Sequence, residues 1–191
     1  MQLQSKIKWL LLIFLIPAFI TPVIFLKRYS ILYHYYLWQL NHTGHGSEMM
    51  TLTENIESIA PYIVPALLET YSDINAPAKG RHGAAIGLIS ADKEKAENLF
   101  IQFLENEDEE ILGSAIFELK VARSEKAYKK ILNFRDHPNP EVRSQVASYL
   151  GRVKNEQSIK TLENILRNDT DEGVRLSAYF SLQELGKIPK K

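Results

Sequence analysis

Apolar positions recur along the second half of the chain with the spacing of an α-helix. Counted from Val142, they stand at offsets 0, 4, 5 and 8, which form one stripe on a helix surface. The same offsets return 31 residues earlier, a further 31 residues earlier, and 32 residues later. No stretch alternates with period two, so we expect no sheet. The four stripes are Gly80, Ala84, Ala85 and Leu88; Ile111, Ala115, Ile116 and Leu119; Val142, Val146, Ala147 and Leu150; and Val174, Ala178, Tyr179 and Leu182.

A further apolar stripe precedes each of these, so the pattern predicts four pairs of helices within about 56–185. The first helix of the first pair lies 36 residues before that of the second pair, instead of 31. The loop around Pro77, which connects the two helices of the first pair, contains the five extra residues. The residues Asp108, Asn139 and Asp171 are placed to cap the second helices of the other three pairs. The preceding stripes are Ala60, Val64, Leu67 and Leu68; Ala96, Phe100, Phe103 and Leu104; Ala127, Ile131, Phe134 and Arg135; and Ser158, Leu162, Ile165 and Leu166.

The third and fourth pairs carry residues that resemble a known family. The segment Asn139-Pro140-Glu141-Val142-Arg143, with its continuation to Gly151, looks like the second helix of a HEAT repeat, and 171–175 repeats it. The period near 31 is similar to that of the short, phycobilisome-lyase-like HEAT repeats. The resemblance implies an all-α fold, a right-handed α-solenoid of about four HEAT-like helix pairs that occupies residues 56–191.

The resemblance also implies a structural role for arginines in the second helices. In HEAT repeats this arginine packs between repeats, near an acidic or amide turn. Two pairs depart from the pattern, since Leu112 replaces the arginine of the second pair and Gly80 replaces the valine of the first. These departures bear on the repeat count and leave the architecture unchanged. The structural positions implied are Arg81, Arg143 and Arg175, with Asn139 and Asp171 in the turns.

The amino-terminal segment is apolar and is flanked by basic residues. Residues 9–26 carry no charge, and their number is near the lower limit for a membrane-spanning helix. Trp38 and four tyrosines follow, a composition typical of a membrane–water interface. We therefore predict a transmembrane anchor at 1–28 and an aromatic interfacial segment and linker at 29–55. The flanking basic residues are Lys6, Lys8, Lys27 and Arg28.

A cleaved signal peptide and a buried soluble helix are the alternatives for this segment. A signal peptide has a shorter apolar core and small residues before the cut, whereas this run is long and ends in Leu26 and Lys27. Two basic residues flank each end of the apolar run, so the positive-inside rule does not decide its orientation in the membrane. The short tail with its two lysines disfavours translocation, which predicts a single-pass protein of a bacterial inner membrane with the solenoid outside the cytoplasm.

Charge is unevenly distributed, although the chain has 23 basic and 23 acidic residues in total. The first acidic residue is Glu48, so a basic amino-terminal part precedes a mildly acidic body. An acidic body opposes binding to the phosphates of nucleic acid, and we predict no nucleic-acid partner. The chain contains no cysteine, which excludes disulfides and thiolate metal sites.

The sequence presents no catalytic or cofactor motif. His42 and His45 are spaced for metal binding but lack a third ligand nearby, and His82 and His137 lack a visible partner group. The acidic run 105–110 lacks the alternating spacing of an EF-hand loop. We therefore predict no enzyme activity, no metal and no cofactor. The alternative, implied by the resemblance alone, is a lyase-like or cofactor-handling enzyme subunit.

One face of the second helices is more apolar than a solvated face requires. Offsets 2, 6 and 9 lie opposite the predicted core, and Ser144, Ser148 and Gly151 would leave a hollow there in the third pair. This face predicts a groove for a protein or peptide, and hence a membrane-anchored interaction scaffold or assembly subunit. The alternative is a cap formed by the linker or the carboxy-terminal tail. The predicted contact residues are His82, Ile86, Ile89, Phe117, Lys120, Leu176, Phe180 and Gln183.

Overall fold

The computed structural model describes residues 24–44, 46–153 and 156–189, and every regular element within those ranges is an α-helix. The all-α prediction is therefore confirmed for this part of the chain. Two compact units divide the molecule, Met1–Ala91 and Asp92–Lys191. Unit 1 contains α1 (24–42), α2 (Ser47–Ser72) and α3 (Ala78–Ala91). Unit 2 contains α4 (Lys93–Phe103), α5 (Glu109–Val121), α6 (Tyr128–Leu132), α7 (Pro140–Leu150), α8 (Glu156–Asn168) and α9 (Glu172–Glu184).

Helix α1 occupies much of the segment for which the sequence predicted an interfacial stretch and linker. Residues 24–42 are helical, and α2 begins at Ser47, earlier than the predicted domain start at residue 56. The physical reason is a buried stripe, because the side chains of Tyr33 and Leu40 are fully buried within unit 1. Only four residues, 43–46, therefore separate α1 from α2.

Glycines on α3 allow α1 and α2 to pack closely against it. A Cβ atom on Gly83 would lie 2.6 Å from Leu40 Cδ2 of α1. A Cβ atom on Gly87 would lie 2.9 Å from Leu67 Cδ2 of α2. Helix α2 itself bends at Ile63, whose φ of −128° is non-helical, between two prolines that interrupt the backbone ladder. Unit 1 is thus a three-helix packing around small residues.

The core of unit 2 follows the predicted stripes. The second helices α5, α7 and α9 each contribute a leucine at offset 8, and Leu119, Leu150 and Leu182 are all buried. Within unit 2, α5 packs on α4 and α7, and α9 packs on α7 and α8. Three side-chain caps are as predicted, since Asp108, Asn139 and Asp171 each accept a hydrogen bond from a backbone N–H of the first turn.

The first helix of the third pair is shorter than predicted. The sequence pattern extends to Arg135, but α6 covers only Tyr128–Leu132. Backbone N–H groups of residues 133–135 and 137 donate to carbonyls three residues earlier. This tighter pattern winds the chain as a 3₁₀-like turn toward Asn139. The third pair thus consists of one short helix, a wound turn and α7.

The predicted membrane anchor falls mainly outside the described residues, which begin at residue 24. Among the helices of the described ranges, none combines the length and apolarity needed to cross a bilayer.

Candidate functional site

The second helices of unit 2 pack directly on one another through small residues. Ser144 Oγ of α7 lies 2.7 Å from Ser177 Oγ of α9. Ser181 Oγ donates to the carbonyl of Ala147 at 2.9 Å. A Cβ atom on Gly151 would lie 2.7 Å from Ser181 Cβ, so the backbones are close at this end. Helix α7 therefore receives α9 along a narrow, small-residue seam.

Helix α7 packs on α5 through the same positions by which α9 packs on α7. A Cβ atom on Gly113, at offset 2 of α5, would lie 3.9 Å from Gln145 Cγ, at offset 3 of α7. Ser144 and Ser177 stand at the same two offsets of α7 and α9. Offset 2 of one second helix therefore meets offset 3 of the next, and Gly151 and Ser181 extend the seam at offsets 9 and 7.

The prediction of a hollow in the third pair is therefore wrong. Ser144 and Gly151 leave no open hollow, because α9 packs against them. Their small size permits a close approach of two helices, as small residues at a helix contact do. The face singled out from the sequence is the face on which the next second helix packs.

On α9 the same face is open. Leu176 and Phe180 stand at offsets 2 and 6, and their side chains are 51% and 52% exposed. Gln183, at offset 9, is half-buried, and its Nε2 donates to the Pro189 carbonyl at 3.2 Å. The carboxy-terminal tail thus contacts Gln183 while the two apolar side chains stay exposed. We call Leu176, Phe180 and Gln183 the end face.

Phe117 and Lys120 of α5, two further predicted contact residues, are half-buried. Lys120 Nζ lies 4.0 Å from the centroid of the Phe117 ring, a cation–π geometry. Burial, followed by the positive charge of Arg152, lowers the pKa of Lys120. Arg152 Nε in turn lies 3.7 Å from Glu184 Oε2. These side chains form a charged margin along the carboxy-terminal ends of α5, α7 and α9.

The three predicted contact residues of the first pair lie on α3, in unit 1. His82, Ile86 and Ile89 are all half-buried. Their neighbours Gly83 and Gly87 carry the packing of α1 and α2. The binding role predicted for these three side chains stays a prediction.

The arginine of the third pair links two turns of unit 2. Arg143 Nε and Nη2 each donate to a carboxylate oxygen of Asp169 at 2.9 Å. Its Nη1 donates to the carbonyls of His137 and Pro138 at 2.8 and 3.1 Å. The hydrogen-bonded guanidinium lowers the pKa of Asp169. The partner of Arg143 is therefore Asp169 rather than Asn139 or Asp171, which cap helices.

Arg175 and Arg81 occupy related positions with different contacts. Arg175 Nη1 donates to the carbonyls of Asp169 and Thr170 at 2.8 and 3.1 Å. Arg81 is buried in unit 1, where its Nε donates to the Tyr71 carbonyl at 3.4 Å and its guanidinium lies 5.7 Å from the Tyr71 ring centroid. Each arginine thus donates hydrogen bonds to backbone carbonyls of the turn or helix end that precedes its own helix.

A cleft of about 330 Å³ lies beside the Arg143–Asp169 pair. Its polar groups already serve the fold, because Asp169 accepts from Arg143 and from the backbone N–H of Asp171, and His137 Nδ1 accepts from the backbone N–H of Asn139. Among the described residues, no three histidine or acidic side chains converge as metal ligands. His42 Nδ1 lies 2.7 Å from the Trp38 carbonyl, and His45 lies outside the described residues.

A family model described as HEAT repeats matches residues 97–183. The matched segment begins within α4 and ends within α9, so it covers the three helix pairs of unit 2. An all-helical unit whose second helices pack in succession fits an α-solenoid. No curated protein matches the chain.

Proposed function

We propose that this protein is a membrane-anchored scaffold or assembly subunit that binds a helical segment of another protein on its end face. The observation that carries the proposal is the exposure of Leu176 and Phe180 on the face that, in α7, receives a helix. HEAT repeats commonly serve as protein-binding surfaces, and residues 97–183 match them.

The chemistry of the end face favours an apolar helix as the occupant. Leu176 and Phe180 are one helical turn apart and form a ridge, which fits between the side-chain rows of an amphipathic helix. Glu184 lies one helical turn beyond Phe180 and its carboxylate is 3.7 Å from Arg152 Nε, so this ion pair offers polar groups beside the apolar contact. Two neighbouring exposed apolar side chains of this size usually mark a binding surface.

The anchor is the second part of the proposal. Residues 9–26 are uncharged and lie between Lys8 and Lys27, which suits one crossing of a bilayer. We place the amino terminus inside and the repeats outside the cytoplasm of a bacterial cell. We further propose the right-handed superhelical sense and the count of about four helix pairs that HEAT repeats imply. Full-length, uncleaved protein should resist carbonate extraction from membranes, and recovery in the soluble fraction would contradict the anchor.

Charge substitutions on the end face test partner binding. The double variant Leu176→Asp/Phe180→Asp should keep its helical circular dichroism and lose the protein that co-purifies with the full-length chain from native membranes. Ile74→Asp is the matched control, because Ile74 is 56% exposed and lies in the turn before α3. Retention of the partner by a folded double variant, or an equal loss with Ile74→Asp, would discard the end face as the site.

A further inference from the structure

Helix α1 presents an exposed apolar and aromatic stripe that the proposed partner site does not use. Ile31, Tyr35 and Trp38 are 70%, 52% and 59% exposed. Their spacing of four and three residues places them on one side of the helix. We call these three side chains the outer stripe.

The opposite side of α1 is fixed in the core of unit 1. Tyr33 and Leu40 are fully buried, and burial raises the pKa of the Tyr33 hydroxyl to about 12. A Cβ atom on Gly80 of α3 would lie 3.2 Å from Asn41 Oδ1, so the end of α1 is also held closely. Because this inner side is packed, α1 cannot rotate to hide the outer stripe.

The charge of α1 is one-sided. Residues 24–42 contain the cations Lys27 and Arg28 and no acidic residue. At 100° per residue, both cationic side chains fall within about 60° of the line through the outer stripe. An apolar line that contains tyrosine and tryptophan, with cationic side chains at one end and no acidic ones, is the composition of a helix that lies in the headgroup layer of an anionic membrane.

We propose that the outer stripe lies in the headgroup layer of an anionic lipid bilayer, with α1 roughly parallel to the membrane plane. The inference rests on the proposed anchor, because the uncharged run ends at Leu26, inside α1. The anchor then delivers α1 to the surface, and the outer stripe holds unit 1 against it. The membrane thereby covers apolar side chains that would otherwise face water.

An α1 that continued along the membrane normal would place Trp38 at a different depth. At about 1.5 Å of rise per residue, Trp38 would stand about 18 Å beyond Leu26 along the membrane normal. The headgroup layer is only about 5–7 Å thick on each side of the hydrocarbon core. An upright helix therefore leaves Trp38 in water, whereas a flat helix leaves it in lipid, and the depth of this one side chain separates the two arrangements.

Tryptophan fluorescence measures that depth in the full-length protein. The chain has two tryptophans, so Trp9→Phe leaves Trp38 as the single reporter. The variant is reconstituted into vesicles of phosphatidylcholine and phosphatidylglycerol, with or without lipids brominated near the headgroup. We expect blue-shifted emission, strong quenching by the brominated lipids and little quenching by aqueous iodide, with weaker lipid quenching in vesicles of phosphatidylcholine alone.

A second single-tryptophan protein provides the control. Trp9→Phe/Trp38→Phe/Phe180→Trp places the reporter on α9 of unit 2, where iodide and not brominated lipid should quench it. If Trp38 behaves like this control, or is shielded from both quenchers by protein, the membrane contact of α1 is overturned while the anchor stands. Protein that is extracted from the vesicles by carbonate would instead contradict the anchor itself.

Discussion

Arg143 and Asp169 join the turns of two successive helix pairs through two parallel hydrogen bonds of 2.9 Å. The pair lies mostly out of water, and Arg143 also binds two carbonyls of its own turn. A bidentate guanidinium–carboxylate contact fixes distance and orientation together. This link positions the turn before α9, and therefore the end face that α9 carries.

Removal of the carboxylate charge should weaken unit 2 in a pH-dependent way. Asp169→Asn should lower the free energy of unfolding at neutral pH by about 1.5–3 kcal/mol, the range for hydrogen bonds to charged groups. Because Arg143 lowers the pKa of Asp169, the stabilisation is present above the unfolded pKa of about 3.9 and is lost as the pH falls through the folded pKa. Urea denaturation between pH 3 and 7 measures this difference.

Asp136→Asn is the control, because that carboxylate is solvent-exposed and pairs with the adjacent Arg135. We expect it to leave both the stability and its pH dependence nearly unchanged. Equal curves for the two variants would show that the Arg143–Asp169 pair adds no stability.

The contacts between successive second helices predict that an added methyl group is costly at Gly151, between α7 and α9, and harmless at Gly113, between α5 and α7. Gly151→Ala should destabilise by about 1–3 kcal/mol through overpacking against Ser181, since Gly151 has ordinary helical dihedral angles. Gly113→Ala, where the nearest atom is 3.9 Å away, should be neutral or stabilising by up to about 1 kcal/mol. Thermal unfolding of both variants makes the comparison.

A double-mutant cycle assigns the cost to the seam. In a Ser181→Gly background, the contacting Cβ and Oγ atoms are gone, so Gly151→Ala should cost less than in the parent protein. Strictly additive effects would show that the two helices do not approach each other as described.

Equivalent core positions should respond alike. Leu150→Ala should destabilise by about 2–5 kcal/mol, as large-to-small core changes do. Leu119→Ala and Leu182→Ala should fall in the same range, because both side chains are buried at the same offset of their helices. Leu176→Ala is the exposed control and should have little effect. An unchanged unfolding midpoint for Leu150→Ala would remove the basis of the repeat alignment.

Periodicity was sufficient to predict the buried stripes and the caps of unit 2. Those features depend on burial along one helix and on a side chain beside its own first turn, and both are local. The pairing of Arg143 with Asp169 was missed because the two residues belong to different turns. The only signal was an acidic residue two positions before the cap at Asp171.

Two features needed the structure. The aromatic composition of residues 29–42 indicated an interface, but the close packing of Leu40 depends on Gly83 of α3, far along the chain. The direction of stacking was also absent from the sequence. Offsets on either side of the core stripe look alike until Ser144 is seen to meet Ser177.

Photo-crosslinking from the end face in native membranes tests the binding of a partner helix most directly. A benzoylphenylalanine replaces Phe180 in the full-length protein, and Ile74 in the control, which has a similar exposure. We expect a crosslink from position 180 and none of the same product from position 74, and mass spectrometry should map it to an amphipathic helix of a different protein. A crosslink from position 180 only to this same chain, or the same products from both positions, would contradict the proposed binding.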